Sequence, residues 1–128
     1  MERQEFEHAV LETAAEAGHI LLENGAEIFR VEETMSRICR HFGVDSGSFF
    51  VLSNGIFTTG GEGPQGRYAK VKHIPVRGAQ LDRVVAVNQL SREIEEGRYT
   101  IEEVGACLEA IRKMPGKRPA MQVLASAV

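Results

Sequence analysis

The chain has 128 residues, 43% of them hydrophobic and 26% charged, with 15 basic against 18 acidic side chains. That is the length and composition of one globular domain with its own core, not of a disordered or fibrous chain. A net charge of −3 provides no basic field to hold a phosphate backbone, so the composition speaks against nucleic acid as a partner.

Cys39 and Cys107 are isolated, without the C-x-x-C spacing of a zinc or redox site, and read as small buried hydrophobes in a reducing compartment. The N-terminus, Met1-Glu2-Arg3-Gln4-Glu5, lacks the apolar run of a secretory signal, and no stretch of about 20 apolar residues is present. The chain as given reads as cytosolic.

Residues 4–24 place Phe6, Val10, Ala14, Ala17 and Leu21 at helical period, with Leu11 and Ile20 widening the stripe and Gly25 as the stop. The small residues Ala14, Ala15, Ala17 and Gly18 would let another helix approach closely. A second helix is predicted from about Ala26 to Phe42, burying Ile28, Val31, Met35, Ile38, Cys39 and Phe42 and ending at Gly43. Glu27, Glu32 and Glu33 in its first turns complement the helix dipole. Projected at about 100° per residue, Glu27 and Glu32 border the apolar stripe as half-buried groups, whereas Glu33 points to solvent.

The pattern then turns β-rich. Runs 48–53 and 56–59 flank Asn54-Gly55, which predicts a tight hairpin centred on those two residues. The glycine-rich loop 60–66 lacks the G-K-[ST] ending of a phosphate loop. Residues 67–75 alternate as a third strand, completing a meander with helices over one side and Phe49 and Phe50 on opposite faces. A third helix, 80–96, carries Leu81, Val84, Val85, Val87, Leu90 and Ile94 on a wide apolar face, with Asn88 inside it, either bonded to neighbouring backbone or facing a polar pocket. Thr100 and Glu103 form a capping box that opens a fourth helix through Ile101, Val104, Leu108 and Ile111, with Tyr99 and Val104 as a staple and Met114-Pro115-Gly116 as the stop. The expected class is therefore α+β, in the order α-α-β-β-β-α-α, as a single soluble domain over 1–116.

Residues 117–128 hold Lys117-Arg118-Pro119 and nine uncharged residues. Nine residues reach about 13 Å as a helix, under half of a bilayer core of about 30 Å. The basic residues before them stand where the cytoplasmic end of a membrane span would carry them, so the segment reads as a basic linker and the start of a first transmembrane helix, or as a frayed, mildly apolar end.

Several blocks together resemble the N-terminal cytosolic domain of the threonine/serine exporter family, including its split, succinate-exporter-like members. They are Ala17-Gly18 with Leu21-Leu22, Gly25-Ala26-Glu27 with Arg30-Val31-Glu32-Glu33-Thr34-Met35, Gly55-Ile56, and Val87-Asn88 with Leu90-Ser91-Arg92 and Gly97. The resemblance spans residues 10–112 and departs at Ile28, where many relatives have threonine. It implies a domain on the cytoplasmic face of the cell membrane, joined to membrane helices of the same or a partner chain that export threonine, serine or a dicarboxylate. Residues 120–128 would then begin the first of those helices.

Three uses of the central cluster follow. In a ligand-binding or gating domain, Arg30 would pair with a substrate carboxylate while Glu27 or Glu32 accepts an ammonium group. In a hydrolase-like enzyme, Glu27 or Glu32 would be the base, Arg30 the anion binder, Asn88 a donor, and Ser91 or Ser53 the nucleophile, although neither serine lies in a recognised nucleophile motif. In a structural role, Glu27 and Arg30 would form an ion pair at the helix junction or between copies in a homo-oligomer. No cofactor is implied, and the scattered His8, His19, His41 and His73 lack metal-ligand spacing.

Overall fold

The computed structural model describes residues 2–44, 49–52, 54–60, 68–74 and 80–114. The elements are α1 (Arg3–Glu23), α2 (Ile28–His41), β1 (Phe49–Leu52), β2 (Gly55–Gly60), β3 (Tyr68–His73), α3 (Leu81–Glu95) and α4 (Ile101–Arg112). The class is α+β, with an antiparallel sheet that falls between two pairs of helices in chain order, and the sheet order is β1-β2-β3. Ser53, the loop residues 61–66, and the linker with its apolar end, 117–128, lie outside the described residues.

Helix α1 is the hub. It contacts α2, β2, α3 and α4, while α2 contacts β1 and α3, so the α1–α2 hairpin is a central layer met by both the sheet and the second helix pair. Such a position demands burial over a wide arc. Val10, Leu11, Ala14, Ala17, Gly18, Ile20, Leu21 and Leu22 of α1 are all buried. The closest approach is at Gly18, where a Cβ atom would lie 2.5 Å from Sδ of Met35 and 3.1 Å from Cδ1 of Ile56. A side chain there would force Met35 to move, and the small-residue run admits both α2 and β2.

The helix ends follow local chemistry. After α1, the Ala26 amide donates to the Leu21 carbonyl at 2.9 Å and the Gly25 amide to Leu22 at 3.1 Å. The same pair of bonds recurs after α2, where Val44 donates to Cys39 and Gly43 to Arg40, and after α3, where Arg98 donates to Glu93 and Gly97 to Ile94. All three are Schellman motifs, and their glycines adopt φ of 90°, 73° and 77°. At α4 the capping box is present: Glu103 N donates to Thr100 Oγ1 at 3.3 Å and Thr100 N to Glu103 Oε1 at 2.9 Å.

Four expectations need correction. The hairpin register pairs Leu52 with Gly55 and Phe50 with Phe57, so the reversal falls one residue earlier than Asn54-Gly55. Gly55 is not among the positive-φ residues; it begins β2 and pairs with both Leu52 and His73. Ile28 is exposed, because it starts α2 at the corner before the helix reaches the core. Leu81 and Val85, 67% and 64% exposed, are also outside the core. The buried face of α3 is Val87, Leu90, Ser91 and Ile94, and an apolar pattern wider than the contact surface could not show where that face was centred. Finally, Cys39 is fully buried, but Cys107 is only half-buried.

Candidate functional site at the seam of α2 and α3

The charged stretch that opens α2 does not assemble as one cluster. Glu27 is the N-cap residue of α2, with extended φ and ψ of −68° and 145°, and its carboxylate makes no capping bond. A helical projection therefore does not apply to it, and it is exposed where a half-buried border position was expected. Arg30 is also exposed, its guanidinium carbon 5.9 Å from the centroid of the Phe29 ring. No ion pair joins Glu27 to Arg30 among the described residues. Glu32 is half-buried.

The arginine that meets the V-N-x-L-S-R block is Arg37. Its Nη1 donates to Ser91 Oγ at 3.2 Å, its Nη2 lies 3.4 Å from Glu33 Oε1, and its Nε lies 3.0 Å from Glu95 Oε1. Arg37 and Glu33 are one turn apart on α2, while Ser91 and Glu95 are one turn apart on α3, so a single guanidinium ties two facing helix surfaces. Ser91 is 1% exposed. Its hydroxyl is fixed by a cation rather than placed beside a base, which is the arrangement of a packing contact and not of an activated nucleophile. Asn88, expected within the apolar face, is half-buried on the flank that also carries the exposed Leu81 and Val85.

The spacing Glu33 to Arg37 was a readable i,i+4 signal. Nothing local pointed to Glu95, whose partnership exists only because α2 and α3 pack together.

A second polar cluster closes the other side of α3. The Tyr99 hydroxyl donates to Glu93 Oε1 at 2.9 Å, Gln89 donates to Glu93 Oε2 at 3.2 Å, and Arg98 Nη1 lies 3.7 Å from Glu93 Oε2. The bonds from Gln89 and then Tyr99, with Arg98 nearby, hold the Glu93 carboxyl below the usual carboxylate range. The bond to Glu93, followed by burial, pushes the Tyr99 hydroxyl up. Burial raises the Cys107 thiol, and Glu93 and Glu103 raise it further, which disfavours the thiolate that a reactive cysteine needs.

Between α1 and α4 runs an open groove of about 370 Å³, lined by Ala9, Glu12, Thr13 and Glu16 on one side and Gly105, Leu108, Glu109 and Arg112 on the other. An ion pair between Arg112 and Glu16 bridges it. Among the described residues, no three His, Cys, Asp or Glu side chains gather as metal ligands.

The geometry defines a small α+β module whose polar residues at the α2–α3 seam hold helices together and whose α1–α2 corner is presented outward. The ThrE family model, described as “Putative threonine/serine exporter”, matches residues 12–128. The chain belongs to that family, which makes it exporter-related and implies association with a membrane. No curated protein and no solved structure matches it. No described helix is long and apolar enough to cross a membrane.

Proposed function

We propose that this chain is the cytosolic domain of a membrane exporter of small polar metabolites of the threonine and serine type, and that it acts in gating or assembly on the cytoplasmic face. The reading is carried by one observation: the exporter family match covers residues 12–128 of a fold in which no described helix can span a bilayer. The transported molecule would then cross elsewhere, through membrane helices of the same or a partner chain, with residues 117–128 leading into them.

Within this reading Glu27 and Arg30 act as contact residues toward the membrane part. Both are exposed at the α1–α2 corner, where a partner can reach them. Ser91 ties α2 to α3 through Arg37, and Glu32 and Asn88 are half-buried on the same two helices.

Efflux of threonine, serine and succinate from cells expressing the chain together with the rest of its exporter tests the role. Arg30→Ala and Glu27→Ala are expected to slow efflux at unchanged protein level. Calorimetry with the same three metabolites on the 128-residue chain is expected to show no saturable binding up to millimolar concentration. Saturable binding that Arg30→Ala abolishes would move the assignment from gating to ligand binding, and efflux that both variants leave untouched would remove the corner from the mechanism.

A further inference from the structure

The contacts between helices place three of their ends together. Helices α1 and α2 are antiparallel, joined by residues 24–27, and at their far ends Arg3 Nη2 donates to the Gly43 carbonyl at 3.2 Å. Helix α4 runs alongside α1 in the same direction, since Glu16 pairs with Arg112 and the rest of the groove's lining, Ala9, Glu12 and Thr13 with Gly105, Leu108 and Glu109, precedes that pair on both helices. The start of α3 meets the end of α4, where Arg83 Nη2 donates to the Met114 carbonyl at 2.6 Å. The α1–α2 corner, the first turns of α3 and the last turn of α4 therefore share one end of the helix block.

That end displays Ile28, Phe29, Leu81 and Val85, all exposed, with the Arg30 cation beside the Phe29 ring. From Met114 the sequence runs to Lys117-Arg118 and then nine uncharged residues, 120–128. The opposite end carries more carboxylates, with Glu93, Glu95 and Glu96 closing α3 and Glu102 and Glu103 opening α4, although Arg92 and Arg98 stand among them. In a chain of net charge −3, this uneven distribution sets Arg30, with Glu27 and Asp82 at the same end, against a negative surface and most carboxylates of α3 and α4 away from it.

We infer that this end docks on an anionic phospholipid bilayer. Ile28, Phe29, Leu81 and Val85 enter the boundary between headgroups and acyl chains, and Arg30 reaches back to the lipid phosphates. The inference takes its membrane setting from the exporter reading and adds the surface, the orientation and the lipid charge. The outer face of the hairpin, with Phe50 and Leu52 at 66% and 60% exposed and Phe57 opposite Phe50, is the rival apolar surface. β1 and β2, which carry these three residues, contain no charged residue, and the lysines of the sheet, Lys70 and Lys72, are on β3.

The chain has no tryptophan, so single-tryptophan variants report position directly. The experiment uses the 128-residue chain with vesicles of phosphatidylcholine, with and without phosphatidylglycerol, and with brominated acyl chains as quencher. Phe29→Trp is expected to shift to the blue and be quenched on vesicles containing phosphatidylglycerol, while Phe50→Trp stays unquenched. Arg30→Glu in the Phe29→Trp background should weaken partitioning on the order of tenfold or more, because each cation near such a surface contributes about 1 kcal/mol. Quenching of Phe50→Trp but not Phe29→Trp, binding indifferent to phosphatidylglycerol, or no vesicle binding would each overturn the inference. A blue shift that grows with protein concentration in the absence of vesicles would overturn it in favour of a second copy. Failed vesicle docking with intact threonine efflux leaves the exporter reading standing, whereas docking without efflux defeats that reading alone.

Discussion

Arg30 and Arg37 stand two turns apart on the same helix, and the protein uses them in opposite ways. Arg37 reaches Ser91 and Glu95 on a facing helix and Glu33 on its own. Arg30 is exposed, with the ring of its neighbour Phe29 as its aromatic contact. An arginine held by three partners has its geometry set before any ligand arrives, which suits it to holding α2 and α3 in register. An exposed one keeps its rotamers and its charge for something outside the domain. The difference arises because α3 packs beside the later turns of α2, while the first turn projects from the α1–α2 corner.

The frame that sets this contrast should break first. Gly18→Leu would drive a side chain into the space held by Met35 and Ile56, displacing α2 from α1. Overpacking of this kind costs about 1–3 kcal/mol or more, read as a lowered midpoint in urea unfolding, and vesicle docking and efflux should fall with it because the corner loses its mounting.

Arg37→Ala removes the donor to a buried hydroxyl and leaves Glu33 and Glu95 facing each other across the seam. A loss of about 1–3 kcal/mol is expected. Ser91→Ala should cost less, since it removes the buried polar atom along with the bond, and the double variant should be far from additive. Additive losses would show that Arg37 holds the seam through its carboxylate partners and not through Ser91.

The cluster around Glu93 gives a pH dependence. Glu93 is held below the usual carboxylate range, so its contribution is present above the glutamate range and is lost as pH falls through the lowered folded value. Tyr99 is raised, so its contribution is present below the tyrosine range and disappears as pH rises through the raised folded value. Tyr99→Phe should flatten the alkaline limb of a thermal melting profile and soften the acid limb. A profile unchanged at both limits would show that the Tyr99 bond carries none of the pH response.

The helices were legible because their signals are local. Three glycines, a capping box and apolar residues at helical period fix where each helix ends, whatever surrounds it. The second strand began at Gly55 rather than in mid-turn because sheet register is set by pairing along β1 and β3, which outweighs the preference of a single Asn-Gly pair. The site was less legible for a related reason. Glu27, Arg30, Glu32, Asn88 and Ser91 were grouped by their nearness in motifs, but the contact to Ser91 is made by Arg37, and its last partner, Glu95, comes from a helix that begins more than 40 residues later. Charge density along a chain marks where polar side chains are, and only packing decides which of them meet.

The smallest effect on stability is also the sharpest test of the contrast. Arg30→Ala removes an exposed side chain whose one described ring contact is with its own neighbour, so stability should stay within about 0.5 kcal/mol of the parent. If Arg30 serves the outside of the domain, the same variant should nevertheless weaken vesicle docking and slow efflux. Arg30→Lys separates charge from shape: a bilayer surface reads charge and should accept lysine nearly as well, whereas a carboxylate bound by the fork of the guanidinium would not. Docking and efflux kept by lysine and lost by alanine point to the lipid surface, and loss in both variants points to a bidentate partner on the membrane part. A stability loss as large as that of Arg37→Ala would erase the distinction between the two arginines, and with it the reason for treating the α1–α2 corner as a contact surface.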